Sequence, residues 1–223
     1  MKSLPTSYTA ARKWGIILLL ALASLGAALL SMSFGSTQVP FSEILTALMG
    51  GETQAYNIVV YARLPRTLAA LLCGSALAVG GVIIQGVLGN PLAGPNIIGV
   101  NAGAGLGAVL CAALIPTSMT AVPVAAFLGA LGACMLVYTL ARRTGASRIT
   151  LVLAGVAISS MLSAAIDAVS ILFPEAALGA GSFMVGRLSG VTVAALKVPA
   201  LLSLLAGAGA FAMSYELDLL TLG

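Results

Sequence analysis

Two arginines, Arg63 and Arg66, are the residues of this chain whose type and spacing best suit chemistry. They form an Arg-Leu-Pro-Arg sequence at the start of a long apolar segment. A guanidinium group presents a rigid planar fork that can pair with a carboxylate through two hydrogen bonds. The pair therefore suits a docking site for carboxylates of an outside partner. It equally suits anchoring of a membrane span, because arginines at span ends reach towards lipid headgroups.

Other polar side chains interrupt the apolar segments, where polar groups cost free energy and usually have a task. Asn90 and Asn96 lie beside prolines and favour turns. Gln85 and Asn101 suit hydrogen bonds between helices. Asp167 lies near the predicted end of a span, where water can solvate it. These positions are more typical of a transport path than of a catalytic centre.

The residue types that most catalytic centres need are missing from the sequence. There is no histidine, which removes the commonest general base and transition-metal ligand. No glycine-rich phosphate-binding loop ending in Gly-Lys-Ser/Thr is present, so this chain does not hydrolyse nucleotide by that route. Cys73, Cys111 and Cys134 are isolated within apolar runs, as expected of small packing residues. The sequence therefore predicts no catalytic residue, no cofactor and no metal site, and it disfavours an intramembrane enzyme.

The composition requires a membrane around these residues. The chain is 60% hydrophobic and 7% charged, and its mean hydropathy is +1.13. A soluble domain carries about 25% charged residues, because it needs a polar exterior. The net charge of +4 is carried by short clusters between apolar runs, so it indicates membrane topology and not a nucleic-acid partner.

The apolar runs predict an all-α, polytopic transmembrane helix bundle in a single domain covering residues 1–223. A run of about 20 apolar residues crosses the hydrocarbon core, and the first run is too long for a signal peptide. The predicted spans are residues 14–34, 64–88, 97–115, 121–141, 149–173 and 191–213. Two shorter helices are predicted at residues 41–49, at the interface, and 174–190, re-entrant or on the surface.

Two further patterns concern orientation and packing. Six lysines and arginines fall on one side and four on the other, which predicts a cytoplasmic N-terminus by the positive-inside rule.

Gly103 and Gly107 on the third span, and Ala125 and Gly129 on the fourth, are spaced four residues apart. Small residues at this spacing predict close approach of the two helix backbones.

A chain of short motifs resembles the FecCD family, the permeases of iron-siderophore, haem and cobalamin ATP-binding-cassette importers. The resemblance runs from about residue 39 to the end. Its motifs are residues 63–68 (Arg-Leu-Pro-Arg-Thr-Leu), 80–85, 90–93 (Asn-Pro-Leu-Ala), 95–100, 103–105, 153–157 and 186–190. At Met184 and Val185 the sequence departs slightly from the family, which more often has a tryptophan there.

The resemblance implies roles for individual residues. Arg63 and Arg66 match the arginines that receive glutamates of the substrate-binding protein. Asn90 and Leu92 match the first part of the inner gate of the translocation path, and Ser147 matches the second part.

The end of the chain resembles the start of the coupling loop that contacts the ATPase, at Asp218, Leu222 and Gly223. The resemblance implies a permease of roughly ten spans, of which about six are present. The resemblance implies that the coupling helix and about four further spans are missing, as in a truncated gene product or in a fragment, and in either case we expect this chain by itself not to support transport.

The resemblance also implies partners and a location. These are a second permease subunit, two cytoplasmic ATPase subunits and an extracytoplasmic substrate-binding protein, in the bilayer of the bacterial inner membrane. The predicted function is the permease of an importer for an iron-siderophore, haem or cobalamin, without enzymatic activity of its own. The alternative is a structural or assembly subunit of a membrane complex without transport activity.

Overall fold

The computed structural model describes residues 10–51, 53–118, 120–143 and 147–221, and within these ranges the regular secondary structure is helical. The helices are α1 (Ala10–Ser33), α2 (Phe41–Leu48), α3 (Tyr56–Ile58), α4 (Leu64–Leu88), α5 (Val100–Leu114), α6 (Ala121–Arg143), α7 (Arg148–Leu172), α8 (Pro174–Met184), α9 (Val193–Ala212) and α10 (Ser214–Thr221). A π-helical turn, Val59–Arg63, joins α3 to α4, and a 3-10 turn, Pro95–Ile98, precedes α5.

Five helical segments of the described chain are long and apolar enough to cross a membrane. They are Ala11–Ser33, Tyr56–Leu88, Ala121–Arg143, Arg148–Leu172 and Val193–Ala212. The all-α, membrane-spanning fold is therefore confirmed. The predicted third span is the 15-residue α5, which is about 22 Å long, so the count of six spans stays a prediction.

The second span begins earlier than the sequence predicts. We expected it to start at Leu64, but the helix is continuous from Tyr56 to Leu88. Pro65 has no N–H to continue an α-helical ladder, and the wider π turn that precedes it carries the backbone through. The segment before Leu64 is therefore helical, and it places Val59 at the centre of a buried cluster.

The chain divides into two compact units, and we call them the first and second unit. The first comprises the chain up to Cys73 together with Leu188–Ala200; the second comprises the remainder. In the first unit α2 is amphipathic: Ile44 and Ala47 point to one side, where they pack with Met32, Val39 and Val59. This small apolar core fixes the loop after α1 against the π turn.

In the second unit α5 packs against α6, α7 and α8. Gly103 and Gly129 face each other so closely that neither has room for a Cβ atom. Ala108 and Val109 of α5 are fully enclosed, together with Ala180 of α8. The backbone approach predicted from the small-residue spacing is confirmed, and residues 174–184 of the predicted short helix are helical.

Candidate docking site and gate

Arg63 is buried, with only 8% of its surface exposed, and its guanidinium is bonded to backbone. Its Nη1 donates to the carbonyl oxygens of Met32, at 2.6 Å, and Ser33, at 2.9 Å. Its Nη2 donates to the carbonyl oxygen of Thr37. The last carbonyls of a helix have no partner within the helix, and α1 has no basic residue in its own last turn. Arg63 therefore caps the C-terminus of α1, together with the N–H of Val39, which donates to the carbonyl oxygen of Ser33 at 3.2 Å.

Two further features of the first unit support this cap. A Cβ atom on Gly35 would lie 2.9 Å from Nη2 of Arg63, so the absence of a side chain there leaves room for the guanidinium. One turn along α4, the hydroxyls of Ser31 and Thr67 are 3.1 Å apart and hydrogen-bonded. Together these contacts fasten the end of α1 to the start of α4.

Arg66 has a different environment from Arg63. It is exposed, and it lies at a cavity of about 610 Å³ whose other polar lining includes Ser36, Tyr61 and Ser189. Within the described residues no carboxylate pairs with Arg66. Of the two arginines predicted for docking, the structure therefore leaves the guanidinium of Arg66 available for a partner and uses that of Arg63 internally.

The first predicted gate residues, Asn90 and Leu92, form a tight turn directly after α4. Gly89 ends the helix with a φ of +59°, and the N–H of Asn90 donates to the carbonyl oxygen of Gln85 at 3.1 Å. This is the Schellman pattern, in which glycine adopts the left-handed conformation at low cost. The Oδ1 of Asn90 then accepts from the N–H of Leu92 at 2.9 Å, and the Leu92 side chain is 89% exposed.

The second predicted gate residue, Ser147, caps the N-terminus of α7. Its Oγ accepts from the N–H of Thr150 at 3.1 Å, as a serine at this position commonly does. The next residue, Arg148, extends towards the first gate turn, and its guanidinium occupies the space beside Gly89. The structure thus brings the two predicted gate segments of the second unit together, through a residue that the sequence analysis did not single out.

The remaining candidates are the two asparagines Asn96 and Asn101 and the predicted start of the coupling loop. Asn101 donates to Asn96, and both border a cavity of about 570 Å³ that is also lined by Ser159. The hydrogen bond expected of Asn101 is therefore made within one polypeptide segment and not across two helices. Asp218 is an exposed residue of α10. Leu222 and Gly223 lie outside the described residues.

Comparison with known proteins supplies the family. The FecCD transport family matches residues 18–223. The chain is 35% identical over 212 residues to the Fe(3+) dicitrate transport system permease protein FecD of Escherichia coli (strain K12), with coverage of 95% of this chain and 66% of that protein. It is 38% identical over 213 residues to the ferric enterobactin transport system permease protein FepD of the same organism, with coverage of 94% and 63%.

A solved chain agrees with this assignment. It is described as an inward-facing conformation of a metal-chelate type ABC transporter, and it aligns with a TM-score of 0.76 and 26% identity over 94% of this chain and 64% of that one. The present chain thus spans slightly less than two thirds of the length of these relatives. With five helices of membrane-spanning length among its described residues and a family match over residues 18–223, this integral membrane protein belongs to the FecCD transport family.

Proposed function

We propose that this chain functions as part of the permease subunit of an ATP-driven importer for an iron-siderophore complex. The observation that carries the proposal is the match over 95% of the chain to a permease named for ferric dicitrate transport. Relatives named for enterobactin and for haem-iron transport leave the chelate class broader than one compound. Haem is therefore a second ligand to test, and the family resemblance described above adds cobalamin as a third.

Partner subunits follow from this function. The importer consists of two permease subunits, two cytoplasmic ATPase subunits and a substrate-binding protein outside the inner membrane. The N-terminus is cytoplasmic, which places Arg66 on the outer side and Asn90, Leu92 and Ser147 on the inner side. The docking partner presents a carboxylate to Arg66, because an exposed guanidinium at the rim of a cavity favours bidentate pairing with one. Arg63 contributes indirectly, by fixing α1 against the helix that carries Arg66.

The test of function uses the complete gene in its own host. Deletion should abolish uptake of a radioactive ferric siderophore under iron limitation, and the complete gene should restore it. Uptake of haem and cobalamin, measured in the same strains, assigns the ligand. Normal uptake of all three compounds after deletion, with the membrane complex absent or disassembled, would instead support a structural or assembly subunit.

The docking role is tested by charge reversal in the complete permease. Arg66→Glu should abolish uptake while the protein still reaches the membrane, and a lysine replacing an acidic residue of the binding protein should restore part of it. Lys197→Glu is the matched control, because Lys197 is an exposed cation that does not line the Arg66 cavity. Equal loss of uptake in both variants would argue against docking at Arg66.

A further inference from the structure

The connection between α4 and α5 is held along one face of α7. Three residues of α7 contact it: Arg148, Gly155 and Ser159. They are separated by seven and four residues, that is by two turns and one turn of helix, so they lie one above another on the same face. The connection therefore follows α7 from its first residue into its middle.

At the start of the connection the contact is electrostatic. The Cζ atom of Arg148 lies 3.2 Å from the position that a Cβ of Gly89 would occupy, so the guanidinium lies directly beside the backbone of Gly89 and a side chain there would push it aside. Gly89 directly follows α4, whose C-terminal carbonyls carry a partial negative charge. The cation of α7 thus lies at the negative end of α4. Because Arg148 is an exposed residue, water weakens this attraction without removing it.

At the end of the connection the contact is steric. The carbonyl oxygen of Ile97 lies directly against Gly155 and leaves no room for a Cβ atom there. Gly99, with a φ of +76°, places its backbone next to α7: a Cβ on it would lie 3.3 Å from the Oγ of Ser159. That Oγ is held in place by donating to the carbonyl oxygen of Gly155 at 2.7 Å.

We propose that Arg148 is a positioning residue that holds the turn of Asn90 and Leu92 on the N-terminus of α7. The turn and Ser147 then move as one body, with the contact of Ile97 and Gly155 as its second attachment. The attachment itself is independent of the proposed function; only the description of the two segments as a gate rests on that function. The gate then opens by displacement of this body, and Leu92 does not separate from Ser147 within one subunit.

Hydrogen exchange of the complete permease in lipid nanodiscs tests the attachment without a transport assay. The amides of Asn90 and Ala93 are informative, because the first donates to the carbonyl oxygen of Gln85 at the end of α4 and the second to that of Asn90 in the turn. Arg148→Ala should accelerate their exchange by about two- to fivefold, the range expected for a charge at a helix end. Arg148→Lys should restore part of the protection, and the melting temperature should change little. Arg143→Ala removes a nearby cation from the end of α6 as the matched control.

A second variant tests the steric attachment. Gly155→Ala should accelerate exchange over residues 94–99 by at least about tenfold, because its methyl group must displace the backbone of Ile97. The control is Gly132→Ala, since a Cβ at Gly132 meets nothing within 4 Å.

The outcomes separate this inference from the proposed function. Unchanged exchange at Asn90 and Ala93 in Arg148→Ala would overturn the positioning role. Exchange accelerated throughout the protein would also overturn it, because that pattern indicates a general loss of stability. Local acceleration with normal, ATP-dependent uptake would support the positioning role and contradict the assignment of these segments as the gate.

Discussion

The internal contacts that stabilise the first unit differ in kind from those that stabilise the second. In the first, a buried guanidinium bonds to the backbone carbonyls of Met32, Ser33 and Thr37. In the second, glycines such as Gly103 and Gly129 let backbones touch without any side chain between them. A polar attachment fails when one donor is lost, whereas a glycine contact fails when one methyl group is added. The two units should therefore respond to opposite kinds of substitution.

Arg63→Ala should have the largest effect on stability. It removes the charged donor from three carbonyl groups, of which that of Ser33 keeps the N–H of Val39, and it removes a side chain with only 8% of its surface exposed. We expect a loss of about 3–4 kcal/mol in the free energy of unfolding, the cost of several unmade charge-assisted hydrogen bonds. Denaturant unfolding in detergent, followed by circular dichroism, measures it. Arg66→Ala is the control, with an expected change below about 0.5 kcal/mol. Equal losses in the two variants would contradict a structural role for Arg63 that Arg66 does not share.

Gly129→Ala should have the next largest effect, this time in the second unit. Its Cβ would meet the carbonyl oxygen of Gly103 and lie 3.2 Å from the Cα of Gly107, so α5 and α6 must separate. We expect a loss of about 2 kcal/mol, as for other overpacked sites. Thermal melting in the same detergent compares it with Gly132→Ala on the same helix, where a Cβ has open space. Similar melting temperatures for the two variants would mean that the glycine contact does not stabilise the unit.

Gly35→Ala extends the comparison of the two units, because it adds a methyl group beside the hydrogen-bonded guanidinium of Arg63 in the first unit. The new Cβ would lie 2.9 Å from Nη2 of Arg63, whose position is fixed by its acceptors. A loss of about 1 kcal/mol is expected, and it should vanish in the background of Arg63→Ala. The double-mutant cycle measures this coupling. Additive losses would show that Gly35 is required for some other reason.

Ser147→Ala should have the smallest effect. It removes the side-chain acceptor for the N–H of Thr150 at an exposed helix end. The expected cost is about 0.5–1 kcal/mol, and it should be confined to the first turn of α7. Hydrogen exchange of residues 149–152 measures it, and Ser147→Asp should retain the cap. Loss of protection along the whole of α7 would contradict a local role.

The features that the sequence predicts well are those that depend on neighbouring residues. The apolar runs locate the long helices to within a few residues, and the four-residue spacing of Gly103 and Gly107 predicts the contact of α5 with α6. The helical start at Tyr56 was missed, because the segment before Leu64 is mixed in composition and a π turn has no apolar period of its own. The turn at Asn90 was predicted from its proline neighbour.

The features that the sequence does not predict are contacts between residues that are far apart in the chain. Arg63 reads from sequence as an exposed arginine at a span end, and its acceptors are 26 to 31 residues earlier in the chain. Arg148 reads as one cation of a basic loop, although it reaches a glycine that follows another helix. Neither contact produces a recognisable pattern among neighbouring residues of the sequence. The signal available in the sequence was the glycine itself, because Gly35, Gly89 and Gly155 each lie where a side chain would collide.

The π turn at Val59–Arg63 makes the first unit sensitive to chain length as well as composition. A π turn is an α-helical turn that has gained one residue. Deleting one residue there would restore the regular helix and rotate everything before it by about 100° relative to α4. Val59, now fully enclosed, would leave its cluster while Arg66 stayed in place. The length of this turn, and not only its composition, thus determines that the start of this long helix faces α2 and the end of α1.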